Sequence, residues 1–347
     1  MRNRQFRLAL TLCLLVVLVR FTDPITARGD TPANGRLVQQ PPSISWRIQC
    51  VDCPKDAFEL DNHALGLDAD GHPHIIYSGD YLYYAWYDGA SWQVETVASA
   101  PGIQDIYTSA ASLAMDRNGT PHIVYQDKTN RILKYAQRRS YGWEVQTVDG
   151  GGWRFGYDTA LALDDAGNPH IAYSRHGPLN YARWTGSGWD YHTIDTTAWF
   201  GWNIAIALDR AGNPHISYYD DTNGDLKYAR WTGTAWEMQY VDTAAWLGEA
   251  NSIVVDDDGH PHISYTDYTN GKLKYARHSA SGWEIQVVDI ARWFGGFSSL
   301  ALDSNGLPHI SYTDSQNGVK YARWTGSNWD IQTVDPIHSW YTSFALD

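Results

Sequence analysis

The sequence is poor in cysteine, with three in 347 residues, and one of these, Cys13, lies in an apolar N-terminal stretch. Cys50 and Cys53 are left, which rules out a framework of several disulfides. They suit one short bridge or two free thiols, and without a second pair they make a poor zinc site. Positive charge is scarce as well, since 26 Lys and Arg face 39 Asp and Glu for a net charge of −13. That sign repels a phosphate backbone and no basic run offsets it, so no nucleic-acid partner is expected. No phosphate-binding Gly loop, nucleophile elbow or zinc-binding helix motif occurs, so no cofactor is expected. Helical apolar periodicity of useful length is missing too. Aromatics are what the chain has in quantity, with 17 Trp and 23 Tyr in a composition 43% hydrophobic and 19% charged. Such a chain folds around a sizeable core.

The one long apolar stretch runs twelve residues from Leu8 to Val19, behind Arg2, Arg4 and Arg7 and ahead of a polar segment ending in Ile25, Thr26 and Ala27. Basic, apolar and small-residue regions in that order read as a secretory signal peptide over residues 1–27, cut after Ala27. Twelve residues reach about 18 Å as a helix, short of the roughly 30 Å hydrocarbon core, so no membrane span is expected after cleavage. Leu12 before Cys13 does not suit a lipoprotein signal. The mature chain is expected to be secreted, at the cell surface or periplasmic, with a net charge of −16.

Tryptophans that open an apolar-alternating stretch recur at Trp46, Trp92, Trp143, Trp189, Trp236, Trp283 and Trp329, at separations of 46, 51, 46, 47, 47 and 46. Between them the same phrases return in order, best seen as SSLALD, LPHISYTD, GVKYARW and WDIQTVD. Each is short, rich in Tyr, Val, Ile and Trp, and bounded by Gly, Asn, Asp or Pro, the marks of a strand between turns. Four strands repeating about every 47 residues fit the blades of a β-propeller, an all-β fold in which each sheet is buried by its neighbours. The SSLALD-type strands, with their small alternating Ala, are expected innermost.

Repeated residues have structural readings first. Asp68, Asp116, Asp164, Asp209, Asp256 and Asp303 each precede a Gly by three positions. Asp accepts backbone N–H groups at a turn start and Gly supplies positive φ. A calcium loop needs alternating ligands and a distant bidentate Glu, which these turns lack, so no metal is expected. Pro-His opens the second strand six times, at His74, His122, His170, His215, His262 and His309. Six identical positions suit packing and hydrogen bonding between strands rather than one catalytic base. Arg183, Arg230, Arg277 and Arg323, each after Tyr-Ala, read as strand braces.

Complete repeats begin near Leu65, Leu113, Leu161, Ile206, Ile253 and Leu300, giving six blades in a domain covering residues 46–347, after a linker at 28–45. Two fragments are left over. Trp46 to Asp52 reads as an outer strand and Ser343 to Asp347 as an inner strand, the edges of a split seventh blade whose middle strands are missing. The chain is therefore expected to be a C-terminally truncated fragment, with a closed six-blade ring and two spare strands as the alternative.

Over residues 46–347 the repeats resemble bacterial secreted β-propellers grouped with the BNR/sialidase-like and lectin-like propellers. The sialidase Asp-box places one residue between Asp and Gly with a Trp soon after, whereas two residues separate Asp303 from Gly306 and Pro308-His309 follow. The resemblance thus implies the fold and does not carry over sialidase residues.

Function is then sought where repeats differ and connections are long. Trp153, Trp199, Trp246, Trp293 and Trp340 lie on the fourth-to-first-strand connections, a ring of aromatics that stacks on sugars or packs loops together. The third repeat breaks pattern with Arg175 and His176, followed by Gly177, Pro178 and Asn180, while Arg154, Tyr157 and Asp158 precede it. Arg154 and Arg175 suit a carboxylate or sugar hydroxyls. The expected function is ligand binding, with carbohydrate or a cell-surface glycan as partner, by a monomer. A polysaccharide-active lyase using His176 and Tyr157, or a protein-interaction scaffold, is the alternative.

Overall fold

A computed structural model of the chain describes residues 15–20, 45–51 and most of 64–346. Within the last range, 79–80, 99–110, 128–129, 151–154, 198–202, 245–246, 291–296 and 337–341, with residues 176 and 315, lie outside the described residues. Two compact units are present, residues 1–57 and 58–347. In the first, Leu15–Arg20 pairs antiparallel with Ser45–Cys50, Leu15 opposite Cys50 and Arg20 opposite Ser45. The strand expected at Trp46 exists, then, and its ladder partner lies in the N-terminal apolar stretch. Most of the expected linker at 28–45 lies outside the described residues.

The second unit is a six-bladed β-propeller. Each blade is a four-stranded antiparallel sheet with its strands in chain order. The sixth blade consists of Ser298–Leu302, Pro308–Asp314, Gly318–Trp324 and Trp329–Asp335. The first five occupy 64–98, 112–149, 155–195, 204–242 and 247–290. First strands lie innermost, as their small residues require, and bond from blade to blade. The Leu161 N–H donates to Ser112 Oγ at 3.2 Å and the Leu300 N–H to Ser252 Oγ at 3.2 Å. Space there is tight: a Cβ on Gly66 would lie 2.8 Å from Met115 Cγ.

The core sits between blades rather than within them. Ile76, Leu82 and Tyr84 of blade one pack with Leu113, Ile123 and Ala136 of blade two. Leu226 and Tyr228 of blade four pack with Ile253, Ile263 and Ala276 of blade five. The repeated Trp locks these interfaces, because its indole meets edge-on a third-strand Tyr of the preceding blade. Ring centroids lie 5.3 Å apart for Tyr84–Trp143, 5.1 Å for Tyr181–Trp236, 5.2 Å for Tyr228–Trp283 and 5.5 Å for Tyr275–Trp329. This edge-to-face geometry adds to simple area burial.

Within every blade the repeated Asp, His and Tyr form one chain of polar contacts. Asp116 Oδ1 accepts the N–H groups of Asn118 and Thr120 at 2.9 and 2.7 Å, and Gly119 closes the turn at φ 74°. The Asp Oδ2 faces His Nε2, at 3.7 Å for Asp209–His215 and 3.6 Å for Asp303–His309. The far nitrogen of the same ring meets a buried Tyr hydroxyl, at 2.6 Å for His215–Tyr228 and 2.5 Å for His122–Tyr135. All six histidines thus share one structural contact, tying the second strand to a buried Tyr of the third. Burial holds all six imidazoles below their ordinary 6.5, with the turn carboxylate only partly opposing it. Burial pushes the turn carboxylates up, but hydrogen bonds from the turn's N–H groups and from neighbouring Asn and His side chains outweigh it and leave them low, Asp256 at about 2.

Residues 342–346 lie between the sixth blade and the first. Phe344 N–H donates to Ser299 Oγ at 3.0 Å, and Leu65 N–H donates to Ser343 Oγ at 3.1 Å. Ser343 thereby stands to Leu65 as Ser112 stands to Leu161, so the segment takes the inner-strand place expected of it. Its Phe344 ring sits 5.8 Å from Tyr321, where other blades put a Trp. Among the described residues, no four-stranded seventh sheet forms around it.

His215→Ala is expected to cost about 1–3 kcal/mol in urea denaturation, because Tyr228 is left with a buried unpaired hydroxyl. The histidines also set a pH window. An imidazole whose folded pKa lies below its unfolded 6.5 stabilises the fold fully above that value and progressively less as pH falls beneath it. The turn carboxylates start to lose their contribution only near 3.8. The urea midpoint should therefore drop between pH 7 and pH 5, and an unchanged midpoint would contradict this account.

Candidate functional site

Of the residues singled out by sequence, Trp153, Arg154, His176, Trp199, Trp246, Trp293 and Trp340 lie outside the described residues. Tyr157 and Asp158 fall in the strand Phe155–Leu163. Arg175 ends the second strand of blade three, where its Nη1 donates to Asp149 Oδ2 of blade two at 3.1 Å. Later blades explain that contact. Lys274 bridges Asp242 of the blade before it and Asp267 of its own at 2.9 and 2.8 Å, and Lys320 bridges Asp289 and Asp314 at 2.9 and 3.1 Å. Lys227 does the same with Asp195 and Asp220. In blade three the lysine position holds Asn180 and the second-strand aspartate position holds Arg175. The cation has moved to the other strand and still reaches the preceding blade's carboxylate, so Arg175 ties blades two and three together while remaining part-exposed.

Strand order puts the first-to-second turns and third-to-fourth hairpins on the rim opposite Arg175. On that rim, outer strands of adjacent blades define clefts with a repeated chemistry. Between blades one and two, Arg138 donates from Nε and Nη2 to the two oxygens of Glu95 at 2.8 and 3.1 Å. The Trp143 indole N–H donates to the same carboxylate at 3.0 Å, and the guanidinium lies 4.7 Å over the Trp86 ring. Glu95 and Arg138 are both about one third exposed. Two oriented charges and an aromatic face thus meet at the surface without burying either charge fully.

Related clefts follow round the ring. Trp231 and Trp236 sit 5.6 Å apart with His192 of blade three 5.2 Å from Trp231. The Trp236 indole N–H is buried without an acceptor among the described residues. Indole pairs recur at Trp184–Trp189 and Trp324–Trp329, both 5.4 Å apart. Beside them lie cross-strand ion pairs, Arg183 to Asp190 at 3.1 Å, Arg230 to Glu237 at 2.8 Å and Arg323 to Asp330 at 3.0 Å. These arginines brace strands three and four, as their repetition implies, and two of them keep close to half their side-chain surface in solvent. Bidentate donors, a carboxylate acceptor and flat apolar rings suit the vicinal hydroxyls and C–H face of a sugar. Sequence reasoning looked to the other rim. The available signal was Glu95 itself, an acid where other repeats carry Gln146, Gln239, Gln286 and Gln332.

No protein-family model matches the sequence, and no curated protein matches it significantly. Solved structures do share its fold. The Aleuria aurantia lectin in complex with Fucα1-6GlcNAc is 14% identical, covering 80% of this chain and 96% of its own with a TM-score of 0.57. AofleA from Arthrobotrys oligospora is 13% identical over 82% and 89% at a TM-score of 0.58. The NanB sialidase of Streptococcus pneumoniae is 10% identical over 75% and 66% at 0.51. At such identities the likeness is one of fold.

Arg175→Ala should destabilise the chain by about 1 kcal/mol or less, since the pair is part-exposed, and the loss should shrink as salt is raised. Combining Arg175→Asp with Asn180→Lys rebuilds the arrangement of blade four and is expected to restore the urea midpoint; a double variant less stable than Arg175→Ala would refute the swap.

Proposed function

We propose that the chain is a secreted carbohydrate-binding propeller whose outer inter-blade clefts hold the sugar. The observation that carries this reading is the Glu95–Arg138 pair, with Trp143 on its carboxylate and Trp86 beneath its guanidinium. Sugars offer adjacent hydroxyls that both accept and donate, and such a pair answers both in fixed directions. The neighbouring indoles supply a sequence-tolerant apolar platform. Two neighbours in fold support the reading, a lectin in complex with a fucosylated disaccharide and a sialidase. The apolar stretch and basic N-terminus support export. The sequence-based reading through the Trp-bearing fourth-to-first-strand connections, Trp199 and Trp246 among them, is the competing one.

Repetition has a further consequence. A glycan bearing several copies of one terminal sugar would engage more than one cleft, and avidity would raise its apparent affinity without any new contact.

A glycan array of the full chain, followed by tryptophan-fluorescence titration with each hit, tests both readings. Glu95→Gln places at this position the residue found in other blades, so the fold is kept while the charged acceptor is lost. Loss of one hydrogen bond to a charged group is worth roughly 1.5–3 kcal/mol, so affinity should fall about tenfold to a hundredfold. Trp199→Ala and Trp246→Ala should leave affinity unchanged. The reverse pattern moves the site to the other rim, and silence on the array removes the carbohydrate reading.

A further inference from the structure

Only blades one and five read Asp-x-Asp-Gly-His-Pro-His at the first turn, as Asp68 to His74 and Asp256 to His262. Elsewhere the fifth position is Thr120, Asn168, Asn213 or Leu307. Its Asn versions donate a side-chain amide to the turn aspartate, Asn168 to Asp164 Oδ2 and Asn213 to Asp209 Oδ2, each at 2.9 Å. In blade one that place is taken by an imidazole, with a second carboxylate, Asp70, in reach; one ligand atom from each of Asp68, Asp70 and His72 falls within 4.8 Å of the others.

A second observation points into the same space. His74 is 6% exposed, and its Nε2 makes no hydrogen bond although it lies 3.4 Å from Asp68 Oδ2. His72 Nδ1 is hydrogen-bonded to that oxygen at 3.2 Å, a contact the ion would replace. Ligand atoms about 2.0–2.1 Å from a tetrahedral ion are separated by about 3.3 Å. Both separations match an edge of that tetrahedron. Asp68 Oδ1 is meanwhile held by the N–H groups of Asp70 and His72 at 3.0 and 2.8 Å, which leaves Oδ2 directed at the two imidazoles.

We propose that blade one carries a transition-metal site of the zinc class, with Asp68 Oδ2, His72 Nδ1 and His74 Nε2 as ligands and the exposed Asp70 carboxylate as the fourth. With the ion on Nε2, the remaining His74 proton sits on Nδ1 and is donated to the Tyr84 hydroxyl bonded there. Such an outer partner fixes ring orientation in metal-bound histidines. The ion staples the turn to the start of the second strand.

Blade five holds the same four residues and is disfavoured by one charge. Arg277 Nη2 lies 3.2 Å from Asp256 Oδ2, and His262 Nε2 is hydrogen-bonded to that oxygen at 3.2 Å. The ladder position opposite His74 is Trp86, where the one opposite His262 is Arg277. Arg138, the cation in the neighbourhood of blade one, is spent on Glu95.

The full chain, stripped with chelator, is titrated calorimetrically with zinc and followed by absorbance with cobalt(II), which reports tetrahedral coordination. One equivalent of zinc is expected. His72→Asn installs the residue of blades three and four, so the turn is preserved, and affinity should fall by more than about 100-fold, beyond the 10–100-fold typical of losing an outer partner. Arg277→Gln, the residue type at Gln137 of blade two, is expected to add a second equivalent; its failure counts against the electrostatic selection. No zinc uptake at about 1 mM, or equal uptake by His72→Asn, overturns the site.

Discussion

Burial between blades is the constraint on which everything else rests. A four-stranded sheet of some 35 residues has two apolar faces and no third layer of its own, so each face must be covered by the next repeat. The edge-on Tyr–Trp contacts mark where that cover is tightest, and they place one indole at each of the five seams between consecutive blades, with Phe344 beside Tyr321 after the sixth. Because the seam is narrow at the axis and opens outward, the same tryptophans pass from core to surface along their length. An aromatic that begins as packing thus ends as part of a cleft.

Polar groups obey the same geometry. The Asp–His–Tyr chain satisfies the buried start of the second strand within one blade, whereas the Lys–Asp bridges and the Arg175–Asp149 pair reach across a seam. Removing a partner from a buried ion pair costs more than the pair contributes, since the other charge stays stranded. Blade three, whose lysine position holds Asn180, keeps the Asp149 carboxylate paired through Arg175 instead, in a pair that is part-exposed and worth less.

The repeat, its strand order and its turns were legible in the sequence because each was written six times. The His role was legible for the same reason, although its Tyr partner was not singled out. Arg175 was visible as an exception, but its role depended on Asp149, 26 residues away in another blade. The Glu95–Arg138 pair was harder still. It joins residues 43 apart whose positions in other repeats hold different types, so no periodic signal announces it. The metal ligands fall between these cases: Asp68, Asp70, His72 and His74 are neighbours in sequence, yet only the contrast between Trp86 and Arg277, on another strand, separates one blade from the other.

Under the proposed function, ligand meets the chain at the outer seams on the third-to-fourth hairpin rim. Hydrogen–deuterium exchange with and without a bound glycan tests it directly. Protection should concentrate in residues 82–98 and 132–149, which carry Trp86, Glu95, Arg138 and Trp143. Protection confined to the fourth-to-first-strand connections, with those hairpins unchanged, would rule out ligand binding at the outer seams.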